Sequence, residues 1–206
     1  MKISAIALDL GSTSIKAGLL DQQAMLCNIV AQPAPPTHAQ QGRYECDALS
    51  YAEIADQVLS TCLAQTDGFP PLGLCSQRSS FLIWEQGSGK PVTPLISWQD
   101  TRGAESCSAL QVHEPLITGL TGLRLTPYFF ATKLRVVLQQ NPQWREGLQH
   151  GELLVGTLDT FLIWRWTSGK HHLTDASMAA RTLLMDISKQ QWSPRLCELF
   201  GIPINI

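Results

Sequence analysis

The chain has 206 residues, of which 44% are hydrophobic and 16% charged, so it is long enough to bury a core and is not disordered by composition. Its net charge of −2 and its scattered lysines and arginines exclude a basic nucleic-acid-binding surface, and we expect no nucleic-acid partner. The sequence has no basic leader and no apolar run of about 18 residues, which predicts a cytoplasmic protein without a membrane partner.

The amino-terminal residues 3–32 predict three antiparallel strands. Apolar runs at 3–10, 15–20 and 25–31 are separated by Gly-Ser and Asp-Gln-Gln turns. After a proline-rich connection, Asp47 is an expected N-cap for a helix that ends near Gln65. We expect this helix to pack against the three-stranded meander.

The remainder of the chain predicts a mixed α/β architecture, because short strands are followed by interspersed helices without a continuous βαβ period. The six cysteines are widely separated, so we expect buried small hydrophobic residues rather than disulfides or zinc ligands. Strands are predicted at 72–76, 80–84 and 95–98, helices at 101–113, 131–140, 157–166 and 194–200, and a hairpin within 173–187.

The first turn has the chemistry of a phosphate site. Gly11 can take a positive φ and can let the backbone approach a ligand closely, which a residue with a Cβ resists. Three hydroxyl residues follow it, and one carboxylate suits Mg²⁺, which takes one or two carboxylates together with phosphate oxygens. The alternative is an ordinary Gly-Ser hairpin with polar turn residues. The residues of this candidate site are Asp9, Gly11, Ser12, Thr13, Ser14 and Lys16.

A second group of polar and aromatic residues lies at predicted strand ends, where α/β sheets bind ligands. An aromatic face and bidentate polar groups suit a neutral polyhydroxylated ligand. The alternative is an ion pair between Arg78 and Asp100, with Trp98 and Tyr128 in the core. The residues of this candidate substrate site are Gln77, Arg78, Ser79, Trp98, Asp100 and Tyr128.

Seven segments in the same order resemble the amino-terminal half of the FGGY carbohydrate kinases, over nearly the whole chain. The resemblance implies an actin-like ATPase domain, ribonuclease H-like, with a mixed sheet, an antiparallel hairpin meander and flanking helices. The segments are Leu8–Lys16, Ser76-Gln77-Arg78, Lys90-Pro91, Ile96–Arg102, Tyr128–Leu134, Gly156–Trp164 and Thr174–Thr182.

The resemblance also implies roles for individual residues. Asp9 is expected near Mg²⁺, and residues 12–14 with Lys16 are expected to contact the phosphates of ATP. Arg78, Ser79, Trp98 and Tyr128 would line the pocket for a sugar or polyol. Members of the family transfer the γ-phosphoryl group of ATP to a hydroxyl of that substrate, which needs positioning, charge neutralisation and a base.

Two departures from the family pattern change these expectations. Members that phosphorylate glycerol have Gln-Arg-Glu where this chain has Gln77-Arg78-Ser79. Loss of the carboxylate removes a charged hydrogen bond to the substrate, which is typically worth about 1.5–3 kcal/mol. Glycerol is therefore doubtful as the substrate. The sequence also ends at Ile206, before the segment in which the family places its catalytic aspartate. No catalytic residue is therefore assigned, because Asp159 and Asp175 suit helix capping or structural hydrogen bonds better.

We therefore expect residues 1–206 to be a single, incomplete amino-terminal domain that is inactive alone and whose partner is a carboxy-terminal domain. Exposed apolar surface on such a domain would favour a homo-oligomer. The alternatives are a stand-alone sugar- or phosphate-binding module, the remnant of a decayed kinase gene, and a chaperone-type ATPase of the actin-like superfamily.

Overall fold

Strands are concentrated in the first part of the chain and helices in the remainder, as predicted. The computed structural model describes residues 2–205. The elements in chain order are β1 (Ile3–Leu10), β2 (Ser14–Asp21), β3 (Leu26–Pro33), β4 (His38–Gln40), β5 (Arg43–Cys46), α1 (Ala48–Leu63), β6 (Leu72–Ser76), β7 (Phe81–Glu85), β8 (Leu95–Ile96), α2 (Ala104–Leu110), a 3₁₀ turn (Gln111–His113), α3 (Glu114–Thr121), α4 (Phe130–Gln140), α5 (Pro142–His150), β9 (Leu153–Thr157), α6 (Leu158–Trp166), α7 (Ala176–Ala179), β10 (Met185–Asp186), β11 (Gln191–Trp192) and α8 (Pro194–Phe200).

The described residues form two compact units. The first consists of the chain up to Pro36 together with Cys46–Gln77, and the second of Thr37–Glu45 together with the chain from Arg78 onward. Each unit has its own sheet, with strand order β3-β2-β1-β6 in the first and β4-β5-β8-β7-β9 in the second.

The predicted antiparallel meander is confirmed in the first unit. β1 pairs antiparallel with β2, and β2 pairs antiparallel with β3, whereas β6 joins β1 in parallel. In β1, Leu8 and Leu10 are buried, while Asp9 between them is exposed. Because successive side chains of a strand point to opposite faces, this alternation gives the mixed sheet one apolar and one polar face.

Helix α1 covers the apolar face of this sheet. Asp47 caps it, since Oδ1 of Asp47 accepts a hydrogen bond of 2.6 Å from the backbone N–H of Ser50. Ala52, Ala55 and Val58 are fully buried, at spacings that place them on one side of the helix. The predicted N-cap and the predicted packing against the meander are therefore confirmed.

The second unit is built around β7, which is buried on both faces. Residues Phe81 to Trp84 are 0% exposed, so this strand has a continuous apolar sequence instead of an alternating one. β7 pairs antiparallel with β8 and β9. The rings of Phe81 and Phe130 contact edge to face at 4.8 Å, which joins α4 to this sheet in one core.

Several elements of the second unit were not predicted. The sequence analysis treated Asn141-Pro142 only as the end of a helix, but Pro142 also begins α5, because proline suits the first turn of a helix. Similarly, α3 has a proline in its first turn and ends at Gly122, with φ of 69°. β4, β5, β9 and α7 were also missed, since each has only three to five residues.

Two predicted elements differ in their bounds. The helix expected from residue 101 begins at Ala104, because Thr101 instead donates its backbone N–H to the carbonyl of Gly42 at 2.9 Å. The hairpin expected within 173–187 lies further along, where β10 pairs antiparallel with β11.

The cysteines are free thiols, and Cys46, Cys62 and Cys197 are buried as expected. Cys75 is exposed, which contradicts the expectation of burial, because it lies in β6 on the same polar face as its neighbour Asp9 in β1. Within residues 2–205, no helix is long and apolar enough to cross a membrane.

We predict that Asp47→Ala lowers the free energy of unfolding by about 1 kcal/mol, because α1 loses its capping bond. Hydrogen bonds from Ser50 hold the pKa of Asp47 below its ordinary value of 3.8. The advantage of the wild type is therefore fully present above pH 3.8 and is lost as the pH falls through the lower, folded-state pKa. Urea denaturation at several pH values measures it, with Glu53→Ala on the exposed side of α1 as the control; equal losses in both variants would contradict the capping role.

Candidate functional site

The turn between β1 and β2 is closed tightly around Gly11. The Gly11 N–H donates to the carbonyl of Ser14 at 3.2 Å. A Cβ atom on Gly11 would lie 2.8 Å from that carbonyl oxygen, closer than van der Waals contact allows. Gly11 does not use the positive φ that is open to a glycine. Glycine is required here by the close approach of the backbone instead.

A buried tyrosine anchors this turn. The Tyr51 hydroxyl, on α1, donates to the carbonyl of Gly11 at 2.7 Å. Burial raises the pKa of Tyr51 well above its ordinary value, with a smaller opposing effect from a hydrogen bond with Gln77. Gln77 in turn donates its backbone N–H to the carbonyl of Leu10 at 3.0 Å. Tyr51 and Gln77 therefore hold the end of β1, and the sequence analysis missed Tyr51 because a buried helix face is usually a packing face.

The predicted phosphate-binding residues lie together on the first unit. Asp9 and Lys16 are directly opposite each other across β1 and β2, and both are exposed on the polar face of the sheet. Directly opposite residues have Cβ atoms only about 5 Å apart. Ser12 and Ser14 are partly buried, and Thr13 is exposed at the tip of the turn. A carboxylate, an ammonium group and three hydroxyl groups are thus gathered within one short hairpin.

This donor set fits a magnesium–phosphate ligand better than a bare metal ion. Among residues 2–205, no group of three or more His, Cys, Asp or Glu side chains is placed to hold a metal. A cation beside Asp9 would take its remaining ligands from water and phosphate oxygens, which is how Mg²⁺ is usually held in nucleotide sites.

The aromatic residues of the predicted substrate site meet in the second unit. The rings of Trp98 and Tyr128 contact edge to face at 5.5 Å, and both side chains are only partly buried. The Arg181 guanidinium lies 6.0 Å from the Tyr128 ring centre and 4.9 Å from that of Phe129. Arg181 belongs to a segment of the family resemblance, but the sequence gave no sign that it stacks on these rings.

Arg78 and Ser79 precede β7 in this unit. Arg78 is exposed, whereas Ser79 is 2% exposed and its hydroxyl donates to the carbonyl of Arg181 at 3.2 Å. Ser79 also has a φ of 65°, a left-handed conformation that residues with a Cβ rarely adopt. The backbone at this position is therefore held in an unusual conformation by its surroundings.

Asp100 is fully buried and pairs with Arg102 rather than with Arg78. Its oxygens accept hydrogen bonds from Nε and Nη2 of Arg102, each at 2.8 Å, and from the backbone N–H of Tyr44, also at 2.8 Å. Burial alone would raise the pKa of Asp100, but these hydrogen bonds outweigh it and hold the pKa below its ordinary value. Arg102 also pairs with Glu45, so Asp100 and Arg102 together join the loop after β8 to β5. The predicted contact between Asp100 and a substrate stays a prediction.

Lys133, on α4, is a buried amine whose part the sequence analysis did not recognise. It is 0% exposed, and its Nζ donates to the carbonyls of Ser79 and Ser97, each at 2.8 Å. Burial lowers the pKa of Lys133 to about 7, an effect that the nearby Asp100 partly opposes. One sequence feature could have indicated a buried role for Lys133. It lies between Ala131 and Leu134 on the apolar side of an amphipathic helix, where a lysine is unusual.

Asp159 and Asp175 have the structural contacts expected of them. Asp175 caps α7 through a 2.8 Å hydrogen bond from the Met178 N–H. Asp159 is 6% exposed and accepts a 2.9 Å hydrogen bond from the Thr174 hydroxyl, and burial raises its pKa. Asp175 and Thr174 line a cavity of about 590 Å³, whose lining includes none of the predicted substrate residues.

The model of the amino-terminal domain of the FGGY family of carbohydrate kinases matches residues 4–206. A glycerol kinase of Cereibacter sphaeroides is 40% identical over 98% of this chain and 42% of its own length. An apulose kinase of Pectobacterium atrosepticum is 39% identical over 96% of this chain and 41% of its own length.

Among solved structures, a Plasmodium falciparum glycerol kinase with ADP superposes with a TM-score of 0.84, at 25% identity, over 100% of this chain and 42% of its own. The chain thus spans about 42% of the length of these relatives. The likeness confirms the expected actin-like ATPase fold with a mixed sheet and flanking helices.

We predict that Gly11→Ala lowers the free energy of unfolding of the first unit by about 1–3 kcal/mol, because its Cβ forces the turn apart at the Ser14 carbonyl. The matched control is Gly73→Ala in β6, where the nearest atom to an added Cβ is an ordinary 3.8 Å away, and its effect is expected within about 0.5 kcal/mol. The losses in the two variants are compared by hydrogen exchange of the β1 and β2 amides under native conditions. Equal protection in both variants would show that the turn tolerates a side chain.

Proposed function

Because the chain belongs to the FGGY family of carbohydrate kinases, we propose that it serves as the amino-terminal domain of an enzyme that transfers the γ-phosphoryl group of ATP to a hydroxyl of a sugar or polyol. The observation that supports the proposal best is the β1–β2 hairpin. It places the Asp9 carboxylate beside the Lys16 ammonium next to a turn lined by hydroxyl groups. Phosphoryl transfer depends mainly on such charge neutralisation and positioning.

The nucleotide is proposed to bind to the first unit. Lys16 and the hydroxyls of Ser12, Thr13 and Ser14 would contact phosphate oxygens, and Asp9 would hold Mg²⁺ directly or through water. The bound Mg²⁺ would supply neutralisation of phosphate charge. The Tyr51 hydroxyl keeps the backbone of the turn in place for these contacts, since it bonds the Gly11 carbonyl.

The carbohydrate is proposed to bind to residues of the second unit. Trp98 and Tyr128 offer partly exposed aromatic surface for the C–H face of a sugar or polyol, and the exposed Arg78 offers donors for its hydroxyls. We propose a carbohydrate other than glycerol, because Ser79 is a short residue whose hydroxyl already donates to the Arg181 carbonyl. The relatives leave this choice open, since glycerol kinases and an apulose kinase are equally similar at 39–40% identity.

The base that accepts the hydroxyl proton is proposed to lie outside residues 2–205. Within them, Asp100, Asp159 and Asp175 each accept hydrogen bonds that belong to the fold, from Arg102, Thr174 and Met178. The chain by itself is therefore proposed to bind ligands without turnover and to need a carboxy-terminal domain. Its location in the cytoplasm and its oligomeric state remain predictions.

We predict that Asp9→Asn weakens ADP binding about tenfold in the presence of Mg²⁺ but changes it less than about twofold in EDTA, because the carboxylate acts through the cation. Lys16→Met is expected to weaken binding in both conditions, since the ammonium contacts phosphate directly. Isothermal titration calorimetry measures both variants. Glu53→Gln on α1 is the control of matched charge change, and a Mg²⁺-independent loss in Asp9→Asn would refute the assignment of the cation to Asp9.

We predict that the complete product of the gene phosphorylates at least one sugar or polyol with a kcat/KM about tenfold or more above that for glycerol. The physical reason is the absence of a carboxylate at Ser79. A coupled ADP-release assay over a panel of polyols, ketoses and aldoses measures this, with residues 1–206 alone as the second sample, expected to remain at background. A preference for glycerol would overturn the substrate proposal, and carbohydrate binding without turnover by the complete product would favour a non-catalytic module.

A further inference from the structure

The Lys133 amine connects two segments that are far apart in sequence. Ser79 lies 54 residues before Lys133 and Ser97 lies 36 residues before it, yet the carbonyls of both accept a hydrogen bond from Nζ at 2.8 Å. The first carbonyl precedes β7, and the second follows β8. One side chain of α4 therefore bonds the backbone of both segments, next to the point where Phe81 of β7 pairs with Ile96 of β8.

The peptide unit between Ser97 and Trp98 is held on both sides. Its carbonyl accepts from Lys133, and its N–H donates to the Ser80 hydroxyl at 2.9 Å. A peptide unit is planar, so two such bonds fix the orientation of the unit and the position of the Cα atom that follows it. That atom is the Cα of Trp98, whose ring contacts Tyr128.

The peptide unit after Ser79 is held in a comparable way. Its carbonyl accepts from Lys133, while the Ser79 side chain donates to the carbonyl of Arg181. Ser79 has a φ of 65°, a conformation that a residue with a Cβ keeps only when its surroundings enforce it. Arg78 immediately precedes Ser79, so the backbone of Arg78 leads directly into this held position.

A buried lysine is an unusual means of satisfying two carbonyls. Removing an amine from water is unfavourable, and backbone groups of this kind are more often satisfied by other backbone groups or by water. An amine, however, has at least two N–H donors on one atom, so it bonds both carbonyls at once. Two separate donor groups would not link the two carbonyls through a single atom. The ring of Phe81, 5.8 Å from Nζ, closes one side of its environment.

We propose that Lys133 is a positioning residue for carbohydrate recognition, because it holds the backbone carbonyls of both the Arg78–Ser79 and the Ser97–Trp98 segments. The inference rests on the proposed function for the identity of the ligand, but not for the positioning itself. Lys133 does not touch the carbohydrate; it acts through the two backbone segments.

The test compares Lys133→Met with Lys133→Gln in the complete product of the gene. The two side chains have the same number of heavy atoms along the chain, but only glutamine has an amide group with two N–H donors. Lys90→Met is the control, since Lys90 is an exposed lysine in the turn after β7. The readouts are the KM for the accepted carbohydrate, the KM for ATP, and the hydrogen exchange of the Trp98 amide, with thermal unfolding as a check on stability.

The expected result for Lys133→Met is a carbohydrate KM raised about tenfold or more, an ATP KM within about twofold of the wild type, and faster exchange of the Trp98 amide. Lys133→Gln is expected to recover part of both effects, and Lys90→Met to show neither. If Lys133→Met does not fold, the carbohydrate KM and the ATP KM of Lys133→Gln are compared instead, and a rise in the carbohydrate KM alone supports the positioning role.

Two results would overturn the proposal. The first is an unchanged carbohydrate KM together with unchanged exchange at Trp98 in the folded Lys133→Met protein. The second is an equal rise of both KM values in parallel with a lower unfolding temperature, which would indicate a purely structural role. If the wild type phosphorylates no carbohydrate, the proposed function fails, and the exchange of the Trp98 amide alone decides whether Lys133 positions these segments.

Discussion

A backbone carbonyl near the end of a strand needs a hydrogen-bond donor once water is removed, and the candidate sites of both units depend on how this requirement is met. In the first unit, the Tyr51 hydroxyl of α1 donates to Gly11. In the second, the Lys133 amine of α4 donates to Ser79 and Ser97. In both units a buried side chain of a helix holds the backbone of the segment that carries the proposed ligand-binding residues. The exposed residues can therefore point their side chains outward without losing a defined position.

Polar residues of the candidate sites fall into two groups, those that are exposed and those that are buried in contacts of the fold. Asp9, Lys16 and Arg78 are exposed, which keeps their charges available for a ligand. Asp100 and Arg102 are buried against each other and against Glu45, so their charges are used within the fold. A buried ion pair of this kind adds little net stability but penalises any arrangement that separates its partners. Asp100 thereby anchors the loop after β8, which also carries Trp98, to the backbone of Tyr44 in β5.

Local sequence predicted much of the fold but little of its connectivity. The meander, the Asp47 cap and α8 depend on alternation, on a capping side chain and on a proline at the first helical position, which are all short-range signals. β9 was missed because so short a strand obtains its stability from a partner far along the chain, which is β7. β4 and β5 pair with each other locally, but at three and four residues they are too short for a clear alternation. The same limit applies to the sites. The hydroxyl-rich turn was visible in the sequence, whereas Tyr51 and Lys133 appeared to be ordinary residues of helices.

The sequence by itself determined the family, the actin-like fold and the residue types at the two candidate sites. Each of these can be identified from contiguous motifs such as Asp9–Lys16 and Ser76–Ser79. Only the tertiary structure decided how those residues are used. It showed that Gly11 is needed for a 2.8 Å approach rather than for a positive φ, that Asp100 pairs with Arg102, and that Ser79 is buried in a left-handed conformation. The physical reason is that hydrogen-bond partners and desolvation depend on residues separated by tens of positions, and no local pattern specifies them.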